Sequence, residues 1–115
     1  MNGFRRVVLD TSTLVSAALR VGSTPHQALA LALSMGEVCV SMSTLAELDA
    51  VLMRPKFDAY QPPDVRRAFV AMVRKHATLA SGADVLVSSD ADLRSLHPWQ
   101  GIPVLSPLEF LKLVD

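Results

Sequence analysis

Short, continuously apolar runs alternate along this chain with longer stretches in which apolar residues recur every three or four positions. Arg6-Val-Val-Leu-Asp10 has the character of a strand buried in a parallel sheet. Leu14, Val15, Ala18 and Leu19 then fall at helical spacing over 11–19, and Gly22-Ser-Thr-Pro25 interrupts them. Pro25 is placed to open the next helix, which runs to about Met35 and stops at Gly36. Glu37–Ser41 predicts a second strand, and 43–53 a helix with Leu45, Leu48 and Leu52 on one face. Pro55, Pro62 and Pro63 mark a loop before an amphipathic helix over 64–76, apolar at Val65, Phe69, Met72 and Val73. A turn at Ser81-Gly82, a third strand at Asp84–Ser88 and a short helix over 91–96 follow. Ile102–Leu105 predicts the last strand, and Pro107 opens a final helix to about Val114.

Short apolar strands separated by helices imply right-handed βαβ units. The expected fold is therefore three-layer α/β, a short parallel sheet flanked by helices on both faces, in a single domain over 1–115. Half of the residues are apolar and the mean hydropathy is +0.34. No apolar run approaches the roughly 18 residues that a membrane span requires, so no membrane partner is expected and 28–35 reads as a buried helix. The start of the chain lacks the long apolar stretch of a signal peptide, and the lone Cys39 sits among valines as a small hydrophobe. Both features point to a reducing, cytoplasmic compartment.

Eleven basic and eleven acidic residues cancel, but they are not evenly spread. Arg54, Lys56, Arg66, Arg67, Arg74 and Lys75 face only Asp58 and Asp64 within 54–75. Asp84, Asp90, Asp92, Glu109 and Asp115 outnumber Arg94 and Lys112 within 84–115. One segment suits a polyanion and the other a cation, although solvated helix surface also accounts for the basic stretch.

Ligand sites in open parallel sheets form beyond the carboxyl ends of the strands. Asp10 ends the first strand, Asp90 lies just past the third, and Glu47 lies in the first turn of the helix after the second. All three are expected on one sheet edge, where hard divalent cations would find carboxylate oxygen. Helix capping explains each acid separately: Asp10 and Asp90 as N-caps, and Glu47 as the far end of a Thr44-Leu-Ala-Glu47 capping box. Asp84 precedes its strand and is expected at the opposite edge, roughly 15–20 Å away.

Four segments taken in order resemble the PIN-domain family. They are Val-Val-Leu-Asp10-Thr-Ser-Thr-Leu-Val-Ser-Ala, Ser-Thr-Leu-Ala-Glu47-Leu, Arg54-Pro-Lys-Phe57, and Gly82-Ala-Asp-Val-Leu-Val-Ser-Ser-Asp90-Ala-Asp-Leu. The ending Ile-Pro-Val-Leu105-Ser-Pro-Leu-Glu-Phe-Leu111 fits the branch of toxin components from bacterial toxin–antitoxin pairs. The resemblance implies an endoribonuclease dependent on Mg²⁺ or Mn²⁺, with Asp10, Glu47 and Asp90 as catalytic metal-site acids. It implies Asp92 as an auxiliary acid and Ser12 as polar support beside the first acid. RNA is then the substrate, Arg54, Lys56, Arg66, Arg67, Arg74 and Lys75 are candidates for its backbone, and an antitoxin is a possible protein partner.

The chain departs from that pattern between His76 and Gly82. The family has a further strand and a helix bearing another acid there, about thirty residues, whereas here Thr78-Leu-Ala-Ser81 makes a nearly direct connection. A missing covering helix predicts exposed apolar sheet and hence a homodimer. It also keeps open a second reading, a non-catalytic interaction module that dimerises or binds an antitoxin. A phosphate-accepting signalling domain ranks last, because it needs an adjacent acidic pair at the first strand and a late-strand lysine. His26, His76 and His97 are too scattered for a zinc site, and Trp99 reads as a packing anchor.

Overall fold

The computed structural model describes residues 4–78 and 83–114. Its chain order is β1 (Arg6–Leu9), α1 (Thr11–Leu19), α2 (Thr24–Met35), β2 (Glu37–Cys39), α3 (Met42–Leu52), a 3₁₀ turn (Pro55–Ala59), α4 (Pro63–His76), β3 (Val85–Val87), α5 (Ala91–Arg94), β4 (Val104–Leu105) and α6 (Pro107–Val114). Every predicted strand and helix is present. The boundaries move inward at strand ends, because Ser41 and Asp10 leave their strands to cap the helices that follow. α2 begins one residue before Pro25, with Ser23 accepting from the His26 N–H as its N-cap. The prolines at 55 and 62–63 enclose the 3₁₀ turn, where the pattern had predicted loop. The predicted Ser81-Gly82 turn lies outside the described residues.

The four strands are all parallel, in the order β2-β1-β3-β4. β1 is therefore central, and the connection from β2 to β3 passes from one side of β1 to the other. Together with six helices this is an α/β fold compatible with the predicted three-layer arrangement. Thr78 adds a one-residue parallel bridge on the free side of β2, donating its N–H to the Val38 carbonyl and accepting from the Val40 N–H. Thr78, the first residue of the Thr78-Leu-Ala-Ser81 stretch, thus touches the sheet edge.

Strand register divides the sheet into two unequal faces. Val7, Leu9, Val38, Val85 and Val87 are all buried on one face. They join Leu14 and Ala17 of α1, Ala28 and Leu29 of α2, Leu45 and Leu48 of α3, Val70 and Val73 of α4 and Phe110 of α6 in one core. Val8 and Leu86, paired across β1 and β3, occupy the other face and are only half-buried. They line a groove of about 370 Å³ with Trp99, Ile102 and Val104. Trp99, 49% exposed, forms one wall of this groove. No helix among the described residues is long and apolar enough to cross a membrane.

Candidate functional site

The Leu9↔Val87 pairing of β1 with β3 sets the carboxyl ends of the two central strands side by side, and the Asp10 N–H continues the ladder to the Val87 carbonyl. Asp10 turns out of β1 as the N-cap of α1, its Oδ1 accepting from the Thr13 N–H at 2.9 Å. Its Oδ2 accepts from two hydroxyls, Ser12 at 3.1 Å and Ser88 at 2.5 Å. Ser88 is fully buried, and its oxygen in turn accepts from the Asp90 N–H at 3.0 Å. One buried hydroxyl therefore links the Asp10 carboxylate to the backbone of Asp90. Thr13, also fully buried, fastens the same loop to α1 by accepting from the Ser89 N–H at 3.0 Å.

Asp90 caps α5, its Oδ1 accepting from the Asp92 N–H, and both acids are exposed. The structure thus brings Asp10, Ser12, Asp90 and Asp92 to one edge, with Ser88 and Thr13 holding them. Sequence reading missed those two supports. Ser88 stands just past β3 and Thr13 in the first turn of α1, and no local pattern marks either, because each finds its partner across the sheet.

Glu47 is placed differently from its sequence expectation. α3 starts at Met42 and its cap is Ser41, whose oxygen accepts from the Thr44 N–H, so Glu47 stands in the second turn and closes no capping box. The first turn of α3 does reach the acid edge, since Ser41 and Thr44 line a small groove with Val8 and Leu9. Glu47 lies three residues beyond Thr44 on that helix, exposed to solvent. Among the described residues, no group of three or more His, Cys, Asp or Glu side chains is close enough to hold a metal ion.

The donor chemistry nevertheless suits a hard cation. A carboxylate has about four lone-pair sites. Oδ2 of Asp10 has filled two with hydroxyls, while Oδ1 has used one on Thr13, so one remains without breaking the cap. Asp90 spends one site on its own helix.

Arg66 requires a correction. Sequence reading placed it with the backbone-binding cations, but it is 1% exposed. Its guanidinium donates to the carbonyls of Gln61, Leu52 and Arg54 and pairs with Asp58. Those donors are committed inside the protein, because α4 turns this side chain under the 54–61 segment. Arg54, Lys56, Arg67, Arg74 and Lys75 are exposed. Asp84 sits at the opposite sheet edge as expected, accepting from the N–H groups of Arg5 and Arg6. Burial, and after it the Glu37 carboxylate, pushes the Cys39 thiol up.

In comparisons with known proteins, the chain matches no protein-family model and no curated protein.

Proposed function

We propose that this protein is a metal-dependent endoribonuclease of the PIN type. The observation that carries the reading is the Asp10–Ser88–Asp90 linkage at the carboxyl ends of the two central strands. Asp10, Asp90 and Glu47, with Asp92 beside them, are the residues that would hold Mg²⁺ or Mn²⁺, and Ser12 and Ser88 orient the first of them. Such a cation neutralises phosphate charge and lowers the pKa of attacking water. The chain's own contribution is a set of carboxylates fixed by caps and buried hydroxyls, with exposed Arg54, Lys56, Arg67, Arg74 and Lys75 to receive the RNA backbone. The PIN resemblance further suggests the toxin of a toxin–antitoxin pair, an antitoxin partner and a cytoplasmic location; the half-covered sheet face favours a homodimer.

RNA incubated with purified protein and Mn²⁺ should be cleaved slowly, with no cleavage in EDTA or by Asp10→Asn. Slowness is expected because no acid stands between Lys75 and Gly82 to supply the family's further carboxylate. Cleavage that persists in EDTA, or survives Asp10→Asn, refutes the assigned chemistry. The second reading, a non-catalytic module, draws on the failure of the described acids to gather as a three-ligand group. Absence of cleavage at every Mn²⁺ concentration would select it.

A further inference from the structure

Away from the acids, a groove of about 430 Å³ separates the second half of α1 from the 3₁₀ turn, lined by Val15, Ser16, Leu19, Arg20, Phe57 and Tyr60 among others. That volume lies in the usual range of small-ligand sites. The rings of Phe57 and Tyr60 meet edge to face, their centroids 6.2 Å apart and their planes at 60°. Each ring also has a cation: the Arg20 guanidinium is 5.9 Å from the centre of Tyr60, and the Lys56 ammonium 5.1 Å from that of Phe57. Tyr60 is 53% exposed, so much of its surface is not spent on packing. The turn does not depend on these rings for its shape, because Arg66 holds it from beneath through Arg54, Asp58 and Gln61. The same contact pairs Asp58, the acid of the turn, and leaves the local surface cationic through Arg20, Arg54 and Lys56.

The groove is also aligned with the acid edge. Ser12, Val15, Ser16 and Leu19 form one stripe of α1 at helical spacing. The first of them donates to Asp10, and the other three line the groove. At about 1.5 Å of rise per residue, Ser12 and Ser16 are separated by about 6 Å along the helix. A short stretch of extended strand can therefore lie along α1 from the groove to Asp10.

We infer that this groove is a subsite for single-stranded RNA: bases stack on Tyr60 and Phe57, Arg20 and Lys56 meet the adjoining phosphates, and the strand runs along α1 to the acids. Aromatic faces with neighbouring cations are how single-stranded nucleic acid is held without sequence readout. The last clause rests on the nuclease reading; the stacking subsite does not.

The test is fluorescence anisotropy of a labelled, unstructured oligoribonucleotide of about ten nucleotides, titrated with the full chain in EDTA so that no cleavage occurs. Tyr60→Ala should weaken binding roughly 5- to 150-fold, the loss expected for one base–aromatic stack. Tyr60→Phe should bind within about twofold of the parent, and Arg20→Ala should bind less tightly and lower the salt slope by about 0.7. A perfect duplex of the same sequence should compete poorly. Unchanged affinity in Tyr60→Ala, equal binding of duplex and single strand, or no binding by the parent protein would each overturn the subsite. The last result is the one expected if a protein helix occupies the groove instead. Should Tyr60→Ala fail to fold, photocrosslinking of a thiouridine oligonucleotide to the parent protein decides: crosslinks within 57–60 support the subsite and crosslinks confined elsewhere refute it. Mn²⁺-dependent cleavage, measured separately, keeps the two readings apart. Cleavage with Tyr60-independent binding sinks the subsite alone, and Tyr60-dependent binding without cleavage sinks the nuclease alone.

Discussion

Asp10 is an N-cap in the fold and, under the nuclease reading, a cation ligand as well, and substitution can separate the two. As a cap it needs only an acceptor for the Thr13 N–H, and asparagine caps about as well as aspartate. As a cation ligand it needs the charge. Asp10→Asn should therefore stay within a few degrees of the parent melting temperature while losing Mn²⁺-dependent cleavage. Asp10→Ala should lose the cleavage and, in addition, about 1 kcal/mol of stability, a drop of roughly 4–8 °C in thermal melts. Equal destabilisation by the two variants would mean that the Oδ2 acceptor for Ser88, which the amide N–H₂ of asparagine cannot supply, matters more than the cap. Asp84 works at the other edge. The N–H groups of Arg6 and then Arg5 hold its carboxyl below the usual carboxylate range. Its folded pKa is depressed, so its stabilisation is present above the unfolded pKa and is lost as pH falls through the folded one. Amide exchange at Arg5 and Arg6 should accelerate on that acid limb, relative to the core, and Asp84→Asn should remove the pH dependence.

Elements in this protein are joined by a few polar side chains whose roles depend on where helices begin. Arg66 binds the end of α3, the 3₁₀ turn and α4 into one unit through three carbonyls and Asp58. Arg66→Ala would strand the Leu52 and Gln61 carbonyls, each costing about 1–3 kcal/mol if it finds no water, whereas the Arg54 carbonyl keeps the Phe57 N–H. We expect a loss of at least about 2 kcal/mol in denaturant titrations, whereas exposed Arg67→Ala should leave stability within about 0.5 kcal/mol. Adjacent arginines thus differ because one helical step rotates the side chain from core to solvent, which a count of basic residues could not convey. Capping shows a related limit. Thr44-x-x-Glu47 and Ser106-x-x-Glu109 share a signature, but only the second closes as a box: the Glu109 N–H donates to Ser106 Oγ and the Ser106 N–H to Glu109 Oε1. At the first site Ser41 had already taken the cap, three residues before Thr44. Element order and type were legible because periodicity reflects burial along the chain. Cap ownership was not, because Ser41, Ser43 and Thr44 compete for it on nearly equal terms.

The positions of Asp10 and Asp90 were legible for a topological reason: parallel strands place their carboxyl ends together whatever their order. Ser88 and Thr13 were not, since their partners come from across the sheet and no local pattern marks them. The unequal faces of the sheet carry an expectation for the whole molecule. Val8, Leu86, Trp99 and Ile102 present an apolar concavity flanked at the amino end by Arg6 and Glu37, which form an ion pair. Burying such surface between two chains gains about 25 cal/mol per Å², and we expect a two-fold dimer by light scattering at micromolar concentration. Leu86→Glu should shift it to the monomer mass, and a monomeric parent protein would refute the expectation.

The central position of β1 has a consequence during synthesis. β1 leaves the ribosome before the other strands of its sheet, yet Val7 pairs with Val38 on one side and with Val85 on the other. While the chain between β1 and β3 is being made it is an apolar strand with one or both edges unpaired, and its second edge is covered only after Val87 has emerged. The nascent chain must shelter β1 against its own first helices until then, so a ribosome stalled between β2 and β3 would carry the form of this protein most prone to aggregate.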